Sequence, residues 1–332
     1  MRIAVFGAGS TGCYLGALLS AAQLDVSLIC RARIKDAIIA NGGIHISDYQ
    51  GLDKTVMPDE LITEPGEQLF DVVFVTLKCH QLPQALPQLL AITHKSSELV
   101  FMQNGLGSFE AIQDRLAERT CVFGITPFNV LQQGAHFHKG TEGEFVFAKT
   151  PGTEHIAKTL REHGFNCELK AQMTPVIYGK LLLNLNNALN AVADMPIKQE
   201  LENKALRRVL AAAMKEWLAV CKAMNIELAQ FTKVKPALVP RVLSLPNWLF
   251  RRLASAMLDI DPKARSSMWE DIQAGRKTEI AYLNGAVVAL GQRHGVATPV
   301  NSAIVACIEK LERGGVVKLA DLLLARNTNS LK

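Results

Sequence analysis

The sequence predicts an α/β domain built on a doubly wound parallel sheet, followed by a mainly α-helical second domain. Three observations carry this expectation. Short apolar runs alternate with segments of helical spacing through the first half. A glycine-rich turn joins the first of these runs to the first helix. Beyond about residue 173 almost every segment has helical spacing.

Taken in order, residues 2–6 are an apolar run of β-formers, followed by the turn Gly7-Ala8-Gly9-Ser10-Thr11-Gly12 and a helix-like stretch. DVSLIC at 25–30, DVVFVTL at 71–77, ELVFM at 98–102 and CVFGI at 121–125 read as further buried strands. Between them, 81–92 and 107–118 have helical spacing. Runs apolar on both faces and separated by helices belong to a parallel sheet covered on both sides. That is the doubly wound arrangement. HFHKG and GEFVFAK, around 136–149, read as an antiparallel hairpin at the sheet edge, before a helix near 153–163 and a strand at 167–170. The helical part follows as 174–193, 201–225, 264–293 and 299–325, with Pro236, Pro240, Pro246 and Pro262 interrupting the stretch between the second and third. The expected domains are 1–172 and 173–332.

Composition narrows the class of protein. A chain of 332 residues suits two domains, and 49% hydrophobic with 20% charged residues supports buried cores. The net charge of +5 comes from 36 basic and 31 acidic side chains without a long like-charged run, so no nucleic-acid arm or polybasic membrane patch is expected. Residues 3–24 carry no charge and resemble a signal peptide or membrane span. Gly7, Gly9, Gly12 and Gly16 interrupt the stretch, which favours strand, turn and helix instead. Seven widely spaced cysteines with no CxxC pair suggest neither a disulfide framework nor a zinc site. They fit a reducing, cytoplasmic compartment.

The turn at 7–12 fits GxGxxG between a strand and a helix, the context of a Rossmann-type dinucleotide site. Gly7 permits the tight turn, Gly9 lets a pyrophosphate approach the backbone, and Gly12 lets helix and strand pack closely. The N–H groups at the helix start then hold the anion. Strand two ends in Cys30-Arg31-Ala32-Arg33, with no carboxylate before Asp36. A guanidinium at this place accepts a 2′-phosphate through paired donors, so NADP(H) is expected over NAD(H). Lys78, after the strand at 71–77, can add charge near the phosphates. Asn104, after the strand at 98–102, can touch the nicotinamide ribose or the substrate.

In the segment 175–194, a pitch of about 100° per residue places Lys180, Asn184, Asn187 and Asp194 within about 80° of one another. Leu182, Leu185, Ala188, Leu189 and Val192 take the opposite face. Solvated helix faces favour Glu, Lys and Arg, whereas asparagine is a poor helix former. Four asparagines around one lysine therefore suggest hydrogen bonders in a sheltered cleft. An ammonium there can stabilise and protonate the oxygen of a carbonyl that receives hydride. Further on, Ser267 and Asp271 share a helix face. Glu279 joins them only across a bend at Gly275 or in a wide cleft.

These features together resemble the ketopantoate reductase (2-dehydropantoate 2-reductase) family. The likeness rests on the glycine turn, TLK-x-x-Q at 76–81, QNG at 103–105, Lys180 with Asn184, and SSM-x-x-D-I-x-x-G-R-x-TEI at 266–280. It implies NADPH-dependent reduction of a branched 2-keto acid, 2-dehydropantoate to pantoate as in pantothenate biosynthesis. Lys180 would be the general acid, and Glu279 would organise the site. The resemblance also implies substrate contacts from Asn104, Asn184 and Ser267, with Asn187 beside them. The cofactor would meet Gly7, Ala8, Gly9, Ser10, Thr11, Gly12, Arg31, Lys78, Gln81 and Asn104. Two departures bear on the substrate: Ala188 and Ala264 stand where well-studied members carry asparagines.

Two alternatives stay open. One is a paralogous reductase for a different 2-keto acid, and the other is a non-catalytic NADP-binding regulatory protein. No metal is expected: His136 and His138 sit two apart on a strand without a third ligand and read as exposed edge residues. Trp217, Trp248 and Trp269 read as packing or interface positions, which leaves room for a homodimer. No nucleic-acid or membrane partner is expected.

Overall fold

The computed structural model describes residues 1–116, 118–253 and 263–317. The chain forms two compact units, Met1–Gln103 with Ser108–Met173, and Asn104–Gly107 with the chain from Thr174 onward.

In the first unit the strands are β1 (Ile3–Phe6), β2 (Val26–Ile29), β3 (Ile44–Asp48), β4 (Asp53–Val56), β5 (Glu60–Ile62) and β6 (Phe70–Val75). They continue as β7 (Thr93–Phe101), β8 (Thr120–Ile125), β9 (Val130–Gln133), β10 (His136–Lys139), β11 (Phe145–Ala148) and β12 (Cys167–Lys170). Eight form one sheet in the order β12-β11-β8-β7-β6-β1-β2-β5. From β5 to β8 every pairing is parallel. Val, Ile, Leu and Phe fill these central strands because both faces are covered. The chain order reverses at β1, so the loops after β1 and β6 open on the same edge of the sheet, the switch point where doubly wound folds take ligands.

The predicted hairpin around 136–149 does not form. β10 pairs with β3 and β9 in a separate four-stranded sheet, order β4-β3-β10-β9, whereas β11 joins the main sheet between β8 and β12. Ile44, Ile46 and Phe137 bury the inner face of the small sheet in the core that also holds Tyr14 and Leu18 of the first helix, α1 (Ser10–Ala21). Nor is 107–118 an α-helix. Gly107 has φ +93°, the 3₁₀ turn is confined to Gln113–Arg115, and Ile112 and Leu116 reach the core from turns. Their helix-like spacing reflects anchoring of a loop.

The second unit is helical, as expected. Thr174–Ala193 is a continuous 20-residue helix whose Leu182, Leu185, Ala188, Leu189 and Val192 are buried in the core, each fully buried leucine contributing roughly 1.5–3 kcal/mol. The stretch 201–225 begins within the short helix Ile197–Glu202 and continues as Lys204–Ala223. Asn203 separates the two, its side-chain oxygen accepting the N–H groups of Ala205 and Leu206. Trp217 is fully buried, donates its indole N–H to the Tyr178 carbonyl at 3.0 Å, and stacks on the Tyr178 ring.

The segment 264–293 is three elements: the helix Ser267–Gln273, a 3₁₀ turn at Ile280–Tyr282 and the helix Asn284–Arg293. The first ends at Gly275, whose φ of +61° lets the Gly275 and Arg276 N–H groups return to the carbonyls of Ile272 and Asp271. Pro299–Glu312 closes the described helices. Pro262 and the part of the predicted 299–325 segment beyond 317 lie outside the described residues. Among the described residues no helix is long and apolar enough to cross a membrane.

Candidate active site

In the first unit the glycine turn leaves β1 and enters α1. Gly7 has φ +92°, and a Cβ there would strike the Leu77 side chain. A Cβ on Gly12 would strike the Thr76 hydroxyl, which donates to the Gly7 carbonyl at 3.1 Å. Nothing lies within 4 Å of the place a Gly9 Cβ would take. Gly9 is also the N-cap of α1, with no side-chain cap and no acidic residue in the first turn. Uncapped N–H groups beside open space fit a phosphate. Ala8 is buried, Thr11 is partly buried, and Ser10 donates its hydroxyl to Gln132 at 3.2 Å.

Arg31 caps the helix Ala32–Ala40 at the end of β2. Arg31 and Arg33 are both exposed, and neither is held by a carboxylate among the described residues. Lys78 and Gln81 border a 3₁₀ turn after β6, where the Gln81 side-chain oxygen accepts the Lys78 backbone N–H at 3.2 Å. That acceptor is thus engaged in closing its own turn. Gln103, at the end of β7, donates to the carbonyls of Val75 and Leu77, while its own side-chain oxygen is buried without a partner among the described residues.

The second unit assembles the polar groups around Lys180. Its ammonium donates to the Asn104 side-chain oxygen at 2.7 Å. Burial pushes the lysine down to about 8, and the charge of Glu279 opposes that shift. Asn184 lies one turn further along the same helix face, with Asn187 beyond it. Their side-chain amides have no hydrogen-bond partner among the described residues and are only partly exposed. The expected bend at Gly275 is present. After it Thr278, buried and linked through its backbone N–H to Glu312, accepts the Ile280 N–H and so sets the turn Ile280–Tyr282, of which Glu279 is the N-cap.

A connection that local spacing could not reveal joins Asn104 to this turn. The Leu106 N–H donates to the Tyr282 carbonyl at 2.9 Å, and Gly105 packs against that same carbonyl with φ +87°. Glycine in the QNG motif was the one local signal of such a close approach.

Ser267 opens its helix and is exposed. Its neighbour Ser266 fixes it to the lysine helix, donating to the Asn187 carbonyl at 2.8 Å and giving its N–H to Asn190 at 2.9 Å. Asp194 of the predicted polar stripe and Asn190, another asparagine of the same segment, do other work. Asn190 is fully buried and donates to the Met195 carbonyl and to Glu200. Asp194 lies past the helix end in the left-handed region, φ +47°, where its carboxylate accepts from Arg265 and Trp269. Helical pitch fails for Asp194 because the helix has already stopped. Ala188 is wholly buried, and the Ala264 carbonyl accepts the Ile197 N–H.

His136 and His138 are not on an edge strand, since β10 lies inside the small sheet. Both hydrogen-bond to the Ser47 hydroxyl, and His45 stacks on His136 at 4.2 Å. Among the described residues no three metal-ligating side chains are grouped to hold an ion. Among the described residues no disulfide joins any of the seven cysteines.

Comparison with known proteins shows the family. The profile described as Ketopantoate reductase PanE/ApbA matches residues 3–152, and that of the Ketopantoate reductase PanE/ApbA C terminal matches 172–312. A 2-dehydropantoate 2-reductase of Archaeoglobus fulgidus is 24% identical over 320 residues, covering 94% of this chain and 98% of its own. One from Mesorhizobium japonicum is 26% identical over 344 residues, covering 95% and 99%. The crystal structure of a PanE/ApbA family ketopantoate reductase from Ralstonia eutropha superposes with a TM-score of 0.80 at 25% identity, covering 95% of this chain and 99% of that one. The fold is shared with a D-mandelate dehydrogenase solved with NADH and anilino(oxo)acetate, at 22% identity and a TM-score of 0.77. Both halves of the chain match, and the chain belongs to the ketopantoate reductase PanE/ApbA family of oxidoreductases.

Proposed function

We propose that this protein reduces a 2-keto acid with NADPH, converting 2-dehydropantoate to pantoate, and that Lys180 is the general acid. The observation that carries this is the Lys180 ammonium, held on Asn104 at 2.7 Å and brought to about 8 by burial. An acid tuned near neutrality matches proton donation at working pH. The units divide the labour, residues 1–172 holding the cofactor and 173–332 the substrate, with Asn104 serving the second.

In this reading the turn Gly7, Ala8, Gly9, Ser10, Thr11 and Gly12 receives the pyrophosphate, Arg31 the 2′-phosphate, and Lys78 and Gln81 the region between. When bound, the dihydronicotinamide supplies a hydride to C2 of the keto acid. Negative charge then develops on the C2 oxygen. Lys180 faces that charge, stabilises it and transfers a proton to it, ending as a neutral amine that regains its proton from solvent. Asn104 orients the ammonium, while Asn184, Asn187 and Ser267 supply donors for the substrate carboxylate and hydroxyl. Glu279 favours the charged form of Lys180, so that the acid is loaded before each turnover. Cysteines outside any disulfide and a small-molecule substrate fit a cytoplasmic enzyme, and a homodimer is its proposed assembly.

A second reading, reduction of a different 2-keto acid, is favoured by Ala188, which leaves a buried alanine where an amide is expected. Following NADPH oxidation by the purified protein over a panel of 2-keto acids tests both readings. Turnover of 2-dehydropantoate above the others supports the first. Turnover confined to another acid selects the second, and no turnover of any acid rejects both.

A further inference from the structure

Asn104 lies in the chain between two segments of the sheet unit, yet it packs with the helical unit. The Leu106 N–H reaches the Tyr282 carbonyl at 2.9 Å. Gly105, immediately before it, lies with φ +87°, and a Cβ at that position would come within 2.7 Å of the Tyr282 carbonyl carbon and collide with its oxygen. Any side chain at 105 therefore meets two obstacles: a backbone conformation that L-residues resist, and a rigid peptide in the space a Cβ needs.

The Tyr282 carbonyl is not an isolated anchor. It ends the 3₁₀ turn Ile280–Tyr282, in which the Tyr282 N–H donates to the Glu279 carbonyl at 2.9 Å. One residue thus ties together the loop that carries Asn104 and the turn that carries Glu279. Both of those side chains act on the Lys180 ammonium, one by accepting its hydrogen bond and one through its charge.

We propose that Gly105 is a positioning residue for the reduction, closing the 104–107 loop on the Tyr282 carbonyl so that Asn104 stays on the Lys180 ammonium. The inference rests on the reading of Lys180 as the acid. Gly105 touches neither substrate nor cofactor in this scheme. Its effect passes through Asn104, and that origin separates it from a residue needed only for folding.

The test is a double-mutant cycle on the full chain with NADPH and the 2-keto acid that the panel selects. Gly105→Ala is expected to lower kcat by a factor on the order of 10 to 100, as small misplacements of catalytic groups do. NADPH affinity should be unchanged, and the alkaline limb of the kcat profile should move to lower pH, as it does in Asn104→Ala. In the Asn104→Ala background the same change at 105 should cost little more, because the group through which it acts is gone. A second variant replaces the Leu106 N–H by an ester oxygen, which removes the hydrogen bond without adding an atom at 105, and should shift kcat and its pH profile in the same direction. Undiminished kcat with an unmoved limb overturns the proposal. An equal loss in both backgrounds also overturns it, since that outcome marks a structural role. If the wild-type protein reduces no keto acid, the function proposed above fails, but the clamp is still judged by NMR titration of Lys180. An unaltered lysine pKa in Gly105→Ala and in the ester variant overturns it there as well.

Discussion

The ammonium nitrogen of Lys180 and the side-chain oxygen of Asn104 are 2.7 Å apart, a contact between residues 76 positions apart in the chain. The amide oxygen accepts one N–H and cannot take the proton away, so two N–H groups remain for a ligand. Lys180→Ala should therefore lower turnover by about 100-fold or more, the usual contribution of a positioned acid. NADPH affinity, measured by fluorescence titration, should change little. Turnover close to that of the wild type would remove this lysine from the chemistry.

The pH dependence follows from the same group. Burial lowers the lysine to about 8, so the ammonium required for reduction predominates below that pH and disappears above it. The kcat for keto-acid reduction should be level toward neutrality and fall as pH rises through about 8. The reverse reaction needs the neutral amine as base and should show the opposite limb. A reduction rate that climbs through this interval would contradict the assignment.

Arg31 stands at the end of β2 as the N-cap of the next helix, exposed and without a carboxylate partner among the described residues. A guanidinium–phosphate contact is a charge-assisted pair of roughly 1.5–3 kcal/mol. Arg31→Ala should accordingly weaken NADPH binding about 10- to 100-fold and leave NADH binding nearly as before. Equal losses for both cofactors would place Arg31 away from the 2′-phosphate.

The candidate site residues of each unit were legible where the signal was local. The glycine turn follows its strand directly, and the lysine and Asn184 share a face within one helix turn. Signals of another kind were lost. β3 and β4 are short, separated by the Gly51 turn and interrupted by polar residues such as His45, Asp53 and Lys54, so neither helical nor long apolar periodicity marks them. His136 seemed an edge residue because nothing in its neighbourhood announces that β3 pairs with β10. Asn190 resembled its neighbours in composition, but its amide satisfies Glu200 and the Ser266 N–H. Gly105 meets Tyr282 only in the folded chain, where contacts distant in sequence are decided by packing.

Glu200 is 1% exposed, and burial pushes its carboxyl up to about 8 although the Asn190 amide donates to it at 2.7 Å. The folded protein then holds a proton that the unfolded chain releases above the ordinary carboxyl pKa. By linkage, this contribution to stability is complete in mild acid and is lost as pH rises toward about 8, with a slope approaching roughly 1.4 kcal/mol per pH unit. Glu200→Gln keeps an acceptor for Asn190 and carries no titrating proton. Urea denaturation at several pH values should show a decline in wild-type stability over this range and a flatter dependence in the variant. Parallel curves would mean that Glu200 does not hold its proton.

Arg207 is 1% exposed, and no carboxylate accompanies it among the described residues. Its guanidinium donates to the carbonyls of Leu243, Leu201 and Leu245 and to the Asn247 side-chain oxygen, at 2.8–3.0 Å, and lies 4.1 Å from the centre of the Phe250 ring. One side chain thereby fastens the proline-interrupted stretch around 243–250 to the helix Lys204–Ala223. Methionine at this position would fill much of the volume but leave those acceptors unpaired, each costing roughly 1–3 kcal/mol where water cannot reach. Lysine would fare little better, because a single ammonium cannot span the fork of a guanidinium. Arg207→Met and Arg207→Lys should both lower the denaturation midpoint by several kcal/mol equivalent. In the fraction that stays folded, the alkaline limb set by Lys180 should not move, since none of the bonds lost touches Asn104 or Glu279. A variant as stable as the wild type would show that the 243–250 stretch is held by its apolar contacts alone.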